Sequence, residues 1–398
     1  AYAMNLRRFC IFCFIAATGF VLRAPVNAFG PMADALKSAL GMDAGLFGLI
    51  AGTPLLTFGV FAFLSRGLAD RSLASIAALA LSGIIAGALV RSLPYSTAVF
   101  AGTVLVSAAI AQLNVILPVV IKTAFADKAQ LMTGFLCTMI GISSSLGSVA
   151  SVPLIEAFGA WQAPFLFWGL AALPALFSAA ALVGLHQQVS PATNRASSES
   201  MTMSARRPFP WRLGFIFALQ ATISTVLANW LPAAMAASGA SLGDGAALVA
   251  LFFLATVPGS FAAAFLRSAM HRPGFPALFF TVFTASVVVI GMTSAPALWR
   301  LFAAVAGVVQ GVFITLSFTL LQTESRNADE AFRLSSRVQG TGYCLAGLAP
   351  AAAAVLIDLF ARFAGLGALP VVLGTVALAA LLWCILFTRT LHGAKRTR

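Results

Sequence analysis

Arg23 stands in the apolar run ATGFVLRAPVNAFGP (17–31). An arginine near the centre of a membrane helix costs about 2.5–3.5 kcal/mol on insertion scales and marks a functional position. The outer headgroups lie about eight residues away, roughly 12 Å by helical rise, which is more than a guanidinium stem covers. The expectation is an arginine facing a cavity. None of the 11 Asp and Glu residues and none of the three His residues falls at the predicted mid-depth of a span, so Arg23 has no counter-ion in view. An anionic ligand would supply the missing charge, and the planar guanidinium fork can hold an oxyanion through two hydrogen bonds. Asn27 shares a helical face with Arg23, and Gln339 shares one with Tyr343, each by i, i+4 spacing. Asn114, Asn229 with Trp230, and Gln310 occur deep in other apolar runs. Each alone would serve as interhelical glue; together they could line one cavity, with Trp230 stacking on a flat ligand. Arg337 lies about one turn inside its run and could face either the cavity or the interface. Cys10-x-x-Cys13 has zinc-like spacing but no second pair and no nearby His, so packing is the expected role. No metal or cofactor is expected.

Elements long enough to position these residues follow from composition. Apolar residues make up 60% of the 398 and charged residues 9%, against roughly 45–50% and about 25% in soluble domains. Mean hydropathy is +0.98. A soluble enzyme is excluded. The net charge of +13 would point to nucleic acid if it formed a patch, but the basic residues fall in ones and twos between apolar runs. Twelve runs meet the length needed for a helical span: 9–30, 44–65, 72–91, 96–121, 131–152, 162–184, 212–235, 245–266, 274–294, 298–322, 334–357 and 367–388. They are too long and too uniformly apolar for barrel strands. The first continues past the core of a cleavable signal peptide, so none is expected.

The fold class is therefore an all-α membrane protein with twelve transmembrane helices in two six-helix halves, 1–185 and 212–398. A polar linker, 186–211, joins them. A glycine rhythm repeats between the halves: Gly134, Gly141 and Gly147 after Met132, then Gly340, Gly342 and Gly347 after Ser336. Such repetition accompanies transporters whose halves rock about a central site. With both ends on one side, 18 of the 24 Lys and Arg collect there; Lys37, Arg91, Arg300 and Arg362 fall opposite, and Arg23 and Arg337 lie within spans. Positive loops stay cytoplasmic, so both termini are expected inside and the protein in a bacterial inner membrane. No P-loop occurs, so ATP hydrolysis by this chain is not expected.

Gly67-Leu68-Ala69-Asp70-Arg71, after the second span, resembles the signature loop of the major facilitator superfamily, although Ser72 to Ser75 lacks the basic end of that motif. The resemblance implies a latch formed by Gly67, Asp70 and Arg71, and a cavity lined by the first, fourth, seventh and tenth helices. LRAPVNAFGP (22–31), Asn114-x-x-x-Pro118-x-x-x-Lys122, Met132 to Ser148 and Gln339-Gly340-Thr341-Gly342-Tyr343 are similar to the cyanate and 2-nitroimidazole transporter family. That family has Leu-Arg-Pro in its first helix, whereas here Ala24 separates Arg23 from Pro25. Taken together, these features lead to the expectation of a non-enzymatic secondary active or facilitative carrier, a functional monomer moving a small anion by alternating access. Cyanate-, nitrate/nitrite- and carboxylate-like anions are the candidates. Arg23 supplies the charge, Asn27, Asn114, Asn229, Trp230, Gln310, Gln339 and Tyr343 complete the site, and Lys122 and Arg337 are additional candidate charges. The alternatives are efflux of neutral flat compounds such as nitroimidazoles or other drugs, and a membrane sensor or channel that transports nothing.

Overall fold

In hydrocarbon a backbone N–H or C=O has no water to pair with, so a crossing segment must satisfy its own hydrogen bonds. The chain does so with helices. A computed structural model describes residues 6–68, 70–185, 209–240, 242–266, 272 and 274–396; the side chains of Asp34, Ala44, Gly45, Ala233, Leu242, Gly243 and 391–396 lie outside the description. Among the described residues twelve helical spans are long and apolar enough to cross a bilayer. The first six are Leu6–Met32, Leu46–Leu68, Leu73–Arg91, Ser96–Ala124, Ala126–Phe158 and Ala163–Leu182. The second six are Trp211–Pro232, Asp244–Ala263, Gly274–Met292, Pro296–Thr323, Ala328–Ala364 and Ala368–Thr390. Most of the predicted linker, 186–208, is outside the described residues.

Spans 5 and 11 run several residues past the limits that apolar content sets. Hydropathy stops at the first polar residues, whereas a helix stops at its caps. Span 11 begins where the Asn327 side chain accepts from the Glu330 N–H (2.8 Å) and Glu330 accepts in return from the Arg326 N–H (2.8 Å). Spans 5 and 11 end at Gly159 (φ 63°) and Gly365 (φ 65°), both left-handed, a conformation that only glycine adopts freely.

Close approach inside each half rests on small residues, as membrane helix packing requires. Spans 8 and 10 pack intimately; a side chain at Gly307 or Gly311 would strike the span-8 backbone at Phe252 or Thr256. The halves meet along two seams, span 2 against span 11 and span 5 against span 8. Glycines line both. A Cβ on Gly134 would come 2.6 Å from that of Ala264 in the loop after span 8, and one on Gly340 would come 2.8 Å from the Phe63 ring of span 2. Gly141 faces Thr256, and Gly347 faces Leu56. One sequence offset relates Gly134 to Gly340, Gly141 to Gly347 and Gly159 to Gly365, so the repeat seen in sequence is a repeat of the seams.

Twelve antiparallel crossings put both described ends on one face, here termed the near face. The core of the first half does not stop at its own boundary there. Phe217, Phe318, Leu321 and Phe332 of the second half belong to the same buried cluster as Ile116 and Leu136 of the first. The rest of the second half has its own core, from Ile216 to Phe387.

Candidate functional site

Span 1 is not one helix. It runs as Leu6–Val21, breaks at Leu22 and Arg23, and resumes as a short helix, Ala24–Asn27. Pro25 explains the break, since it has no N–H to return to the preceding turn. Arg23 adopts φ −124°, ψ −31°, and its N–H leaves the helical ladder for Ser143 Oγ of span 5 (3.1 Å). The Ala24 N–H donates to the same oxygen (2.9 Å), so one hydroxyl replaces two helical carbonyls. Gly147 lets span 5 come this close: a Cβ there would lie 2.6 Å from Ala24 Cα. Ser151 Oγ donates to the Ala28 carbonyl (3.1 Å), and Asn27 Nδ2 reaches the Ser144 carbonyl (3.4 Å).

A second arginine braces the break from the other side. Arg91, placed among the outer loops by its position at the end of an apolar run, is 2% exposed. Span 3 runs on through it, and its stem passes across Gly102 of span 4. Its guanidinium donates to the Pro25 carbonyl (2.7 Å). The same group lies 4.1 Å from the Phe165 ring centroid and 5.6 Å from that of Phe29. Nε and the second terminal nitrogen are buried without a hydrogen-bond partner. The one sequence signal was the glycine opposite, which no periodicity ties to an arginine.

The break leaves the Arg23 side chain half-buried between the halves. Its NH2 donates to Tyr343 Oη of span 11 (2.7 Å), and the guanidinium sits 5.0 Å from the Phe58 ring centroid of span 2. Tyr343 in turn meets Phe58 and Phe217 edge-on, at centroid distances of 5.4 and 5.1 Å. Among the described residues no carboxylate bonds to Arg23.

One turn from Tyr343 toward the near face, Gln339 closes on span 4. Pro118 has no N–H, so the Asn114 carbonyl lacks its helical donor; Gln339 Nε2 supplies one across the seam (2.8 Å) and also donates to Ser335 Oγ (2.7 Å). Asn114 Oδ1 and Nδ2 and Gln339 Oε1 are buried with no hydrogen-bond partner. Two turns further along span 4, Lys122 Nζ crosses to the end of span 10, donating to the Gln322 carbonyl (2.8 Å), Ser325 Oγ (2.8 Å) and the Ser325 carbonyl. The Asn-x-x-x-Pro-x-x-x-Lys run is thus a row of contacts between the halves.

A sequence profile described as Major Facilitator Superfamily matches residues 9–345. The chain belongs to the Major Facilitator Superfamily. It is 30% identical over 336 residues to the 2-nitroimidazole transporter of Escherichia coli (strain K12), covering 83% of each chain. It is 28% identical over 360 residues to the cyanate transport protein CynX of the same organism, covering 87% of this chain and 89% of that one. In fold it is similar to the superfamily transporter FucP in an outward conformation, with TM-score 0.69 at 13% identity over 96% of this chain and 98% of that one.

Within this superfamily transporter, Arg23, Asn27, Asn114, Gln339 and Tyr343 converge where spans 1, 4, 5 and 11 meet. The other candidates lie elsewhere. Gln310 is fully buried and donates to the Gln220 carbonyl (2.7 Å) and Ser224 Oγ (2.9 Å) of span 7. The Trp230 indole N–H donates to the Pro350 carbonyl (2.9 Å). Asn229 is exposed and bonds back to the Thr225 carbonyl of its own helix (2.8 Å). Arg337 has Arg66 and Arg333 as its charged neighbours, which directs it toward the near face. Gly67, Asp70 and Arg71 are exposed, and Asp70 makes no ion pair among the described residues. The converged residues amount to a cation on a broken helix that no carboxylate among the described residues bonds, with aromatic rings beside it and three amide atoms without partners one turn away.

Proposed function

We propose that the protein is a secondary carrier of small anions that works by alternating access between halves 1–185 and 212–398, joined through 186–211. The observation that carries this reading is the Arg23 guanidinium, held at a helix break, hydrogen-bonded to the opposite half through Tyr343 Oη and bonded to no carboxylate among the described residues. Broken helices are where transporters of this kind hold ligands. An anion would complete the charge balance and compete with Tyr343 for the same guanidinium edge, so binding acts directly on a contact between halves. The Gln339 and Lys122 bonds lie at and beneath this point, on the near face, while Asn229 of span 7 is exposed. This supports ligand access from the far face in the present conformation. The basic-residue bias supports a cytoplasmic near face in a bacterial inner membrane.

Counterflow of labelled anions in proteoliposomes tests the proposal. Arg23→Lys is expected to weaken saturable exchange, because a point charge does not reproduce a bidentate grip, and Arg23→Ala to abolish it. Full exchange by a folded Arg23→Ala protein would overturn it. A second reading, transport of neutral flat compounds, draws on the rings of Phe58, Phe217 and Tyr343 around the site and on the relative named for 2-nitroimidazole. It requires transport of such compounds to survive Arg23→Ala.

A further inference from the structure

Asn114 and Gln339 are 2% and 0% exposed, yet three of their side-chain atoms, Asn114 Oδ1 and Nδ2 and Gln339 Oε1, have no hydrogen-bond partner. Buried polar groups are nearly always paired, and each exception calls for an explanation. Rotation does not supply one. Gln339 Nε2 is committed to the Asn114 carbonyl and to Ser335 Oγ, which fixes where Oε1 points. Gln339 also precedes Tyr343 by four residues, so it shares that helical face one turn away, about 6 Å by helical rise. Gln339 therefore sits one turn below the residue whose hydroxyl holds Arg23, and its bond to the Asn114 carbonyl brings Asn114 to the same level.

We infer that Asn114 and Gln339 form a second, neutral pole of the site, which selects small anions bearing a carboxamide-like group about 6 Å from their charged end. The inference rests on the anion reading above. Ligand N–H groups would donate to Gln339 Oε1 and Asn114 Oδ1, and a ligand carbonyl would accept from Asn114 Nδ2. A carboxamide offers both functions at once. A methyl ketone of the same length offers only the acceptor, and an anion of two or three atoms reaches one pole only. A site built to hydrogen-bond a ligand group discriminates strongly against the analogue that lacks it, because the buried partners are then left bare. Trapped water is the competing occupant, and it predicts no such discrimination.

Succinamate and levulinate separate the two. Both are carboxylates of equal length that differ by an amide NH2 against a CH3. Each is titrated as an inhibitor of counterflow by the full chain in liposomes, with binding checked by thermal shift. Wild type is expected to hold succinamate about tenfold or more tightly than levulinate, and Gln339→Leu to bring the ratio near one. Should Gln339→Leu not fold, Asn114→Val leaves the Gln339 bond to the residue-114 carbonyl in place and is expected to lower the ratio as well. A wild-type ratio below about fivefold, or a wild-type ratio retained in the folded variant, overturns the second pole while leaving the anion site standing. If neither anion shows binding that Arg23→Ala removes, the second pole is overturned, and counterflow of smaller labelled anions by wild type and Arg23→Ala then decides the anion reading separately.

Discussion

Lys122→Met keeps the length of the side chain and removes its charge and its donors. In the structure Nζ reaches three oxygens at the end of span 10: the Gln322 carbonyl and Ser325 Oγ, each at 2.8 Å, and the Ser325 carbonyl. These oxygens cluster at the carbonyl end of the span-10 helix, where a cation is favoured. Hydrogen bonds from a charged donor contribute about 1.5–3 kcal/mol each when buried. Lys122 is half-buried, so solvent takes back much of that, and about 2 kcal/mol for the whole contact is a fair figure. Donor and acceptors sit on different halves, so the contact exists only while the near face is closed. Its loss therefore acts in full on the conformational equilibrium, and about 2 kcal/mol corresponds to roughly a 30-fold shift toward opening. A wild type closed by about 100 to 1 would become about 3 to 1, with roughly a quarter of molecules open. Spin labels at Asp127→Cys and Glu324→Cys, both exposed near-face positions, on a background lacking the five native cysteines, report this as a new long-distance population in pulsed dipolar spectroscopy. A distance distribution unchanged by Lys122→Met, in a protein that still binds ligand, would refute the reasoning.

Arg91→Met removes the brace on the Pro25 carbonyl and should weaken anion affinity about tenfold or more, with Arg91→Lys intermediate; equal affinities for all three proteins, measured by thermal shift, would separate Arg91 from the site. Gly147→Val forces side-chain atoms into Ala24, whose Cα is 2.6 Å from the added Cβ, and should cost about 1–3 kcal/mol, read as a lowered unfolding temperature in detergent. Asp70→Asn should change neither stability, within about 0.5 kcal/mol, nor ligand affinity, because the side chain is exposed and makes no ion pair among the described residues. The same variant should slow counterflow if the loop latches in the opposite conformation.

The twelve crossings were legible because they rest on local chemistry, namely apolar length; the break beside Arg23 was not anticipated, although Pro25 near a mid-span charge carried its signal. Which way a side chain points was not legible. A soluble helix announces its buried face through alternating polarity, but a span is apolar all round, so Gln310 and Trp230 carried no mark that they turn into their own half. Asn114 shows a different limit. The sequence displayed its side chain, while the contact that the structure makes is with its carbonyl, exposed by a proline four residues on. Arg91 was hidden because the end of an apolar run looks the same whether the chain leaves the bilayer there or carries its charge inward.

The offset that relates Gly134 to Gly340 and Gly141 to Gly347 also relates Arg23 to Asn229. The two halves thus repeat a scaffold without repeating its electrostatics: a guanidinium at one position answers a neutral amide at its counterpart. A cargo anchored by charge would have a permanent host and a temporary one. It would ride with the first half through the cycle, and each swing of the second half would amount to closing or lifting a cover over an already seated passenger. Directional asymmetry in a duplicated architecture can in this way come from a single unreciprocated residue.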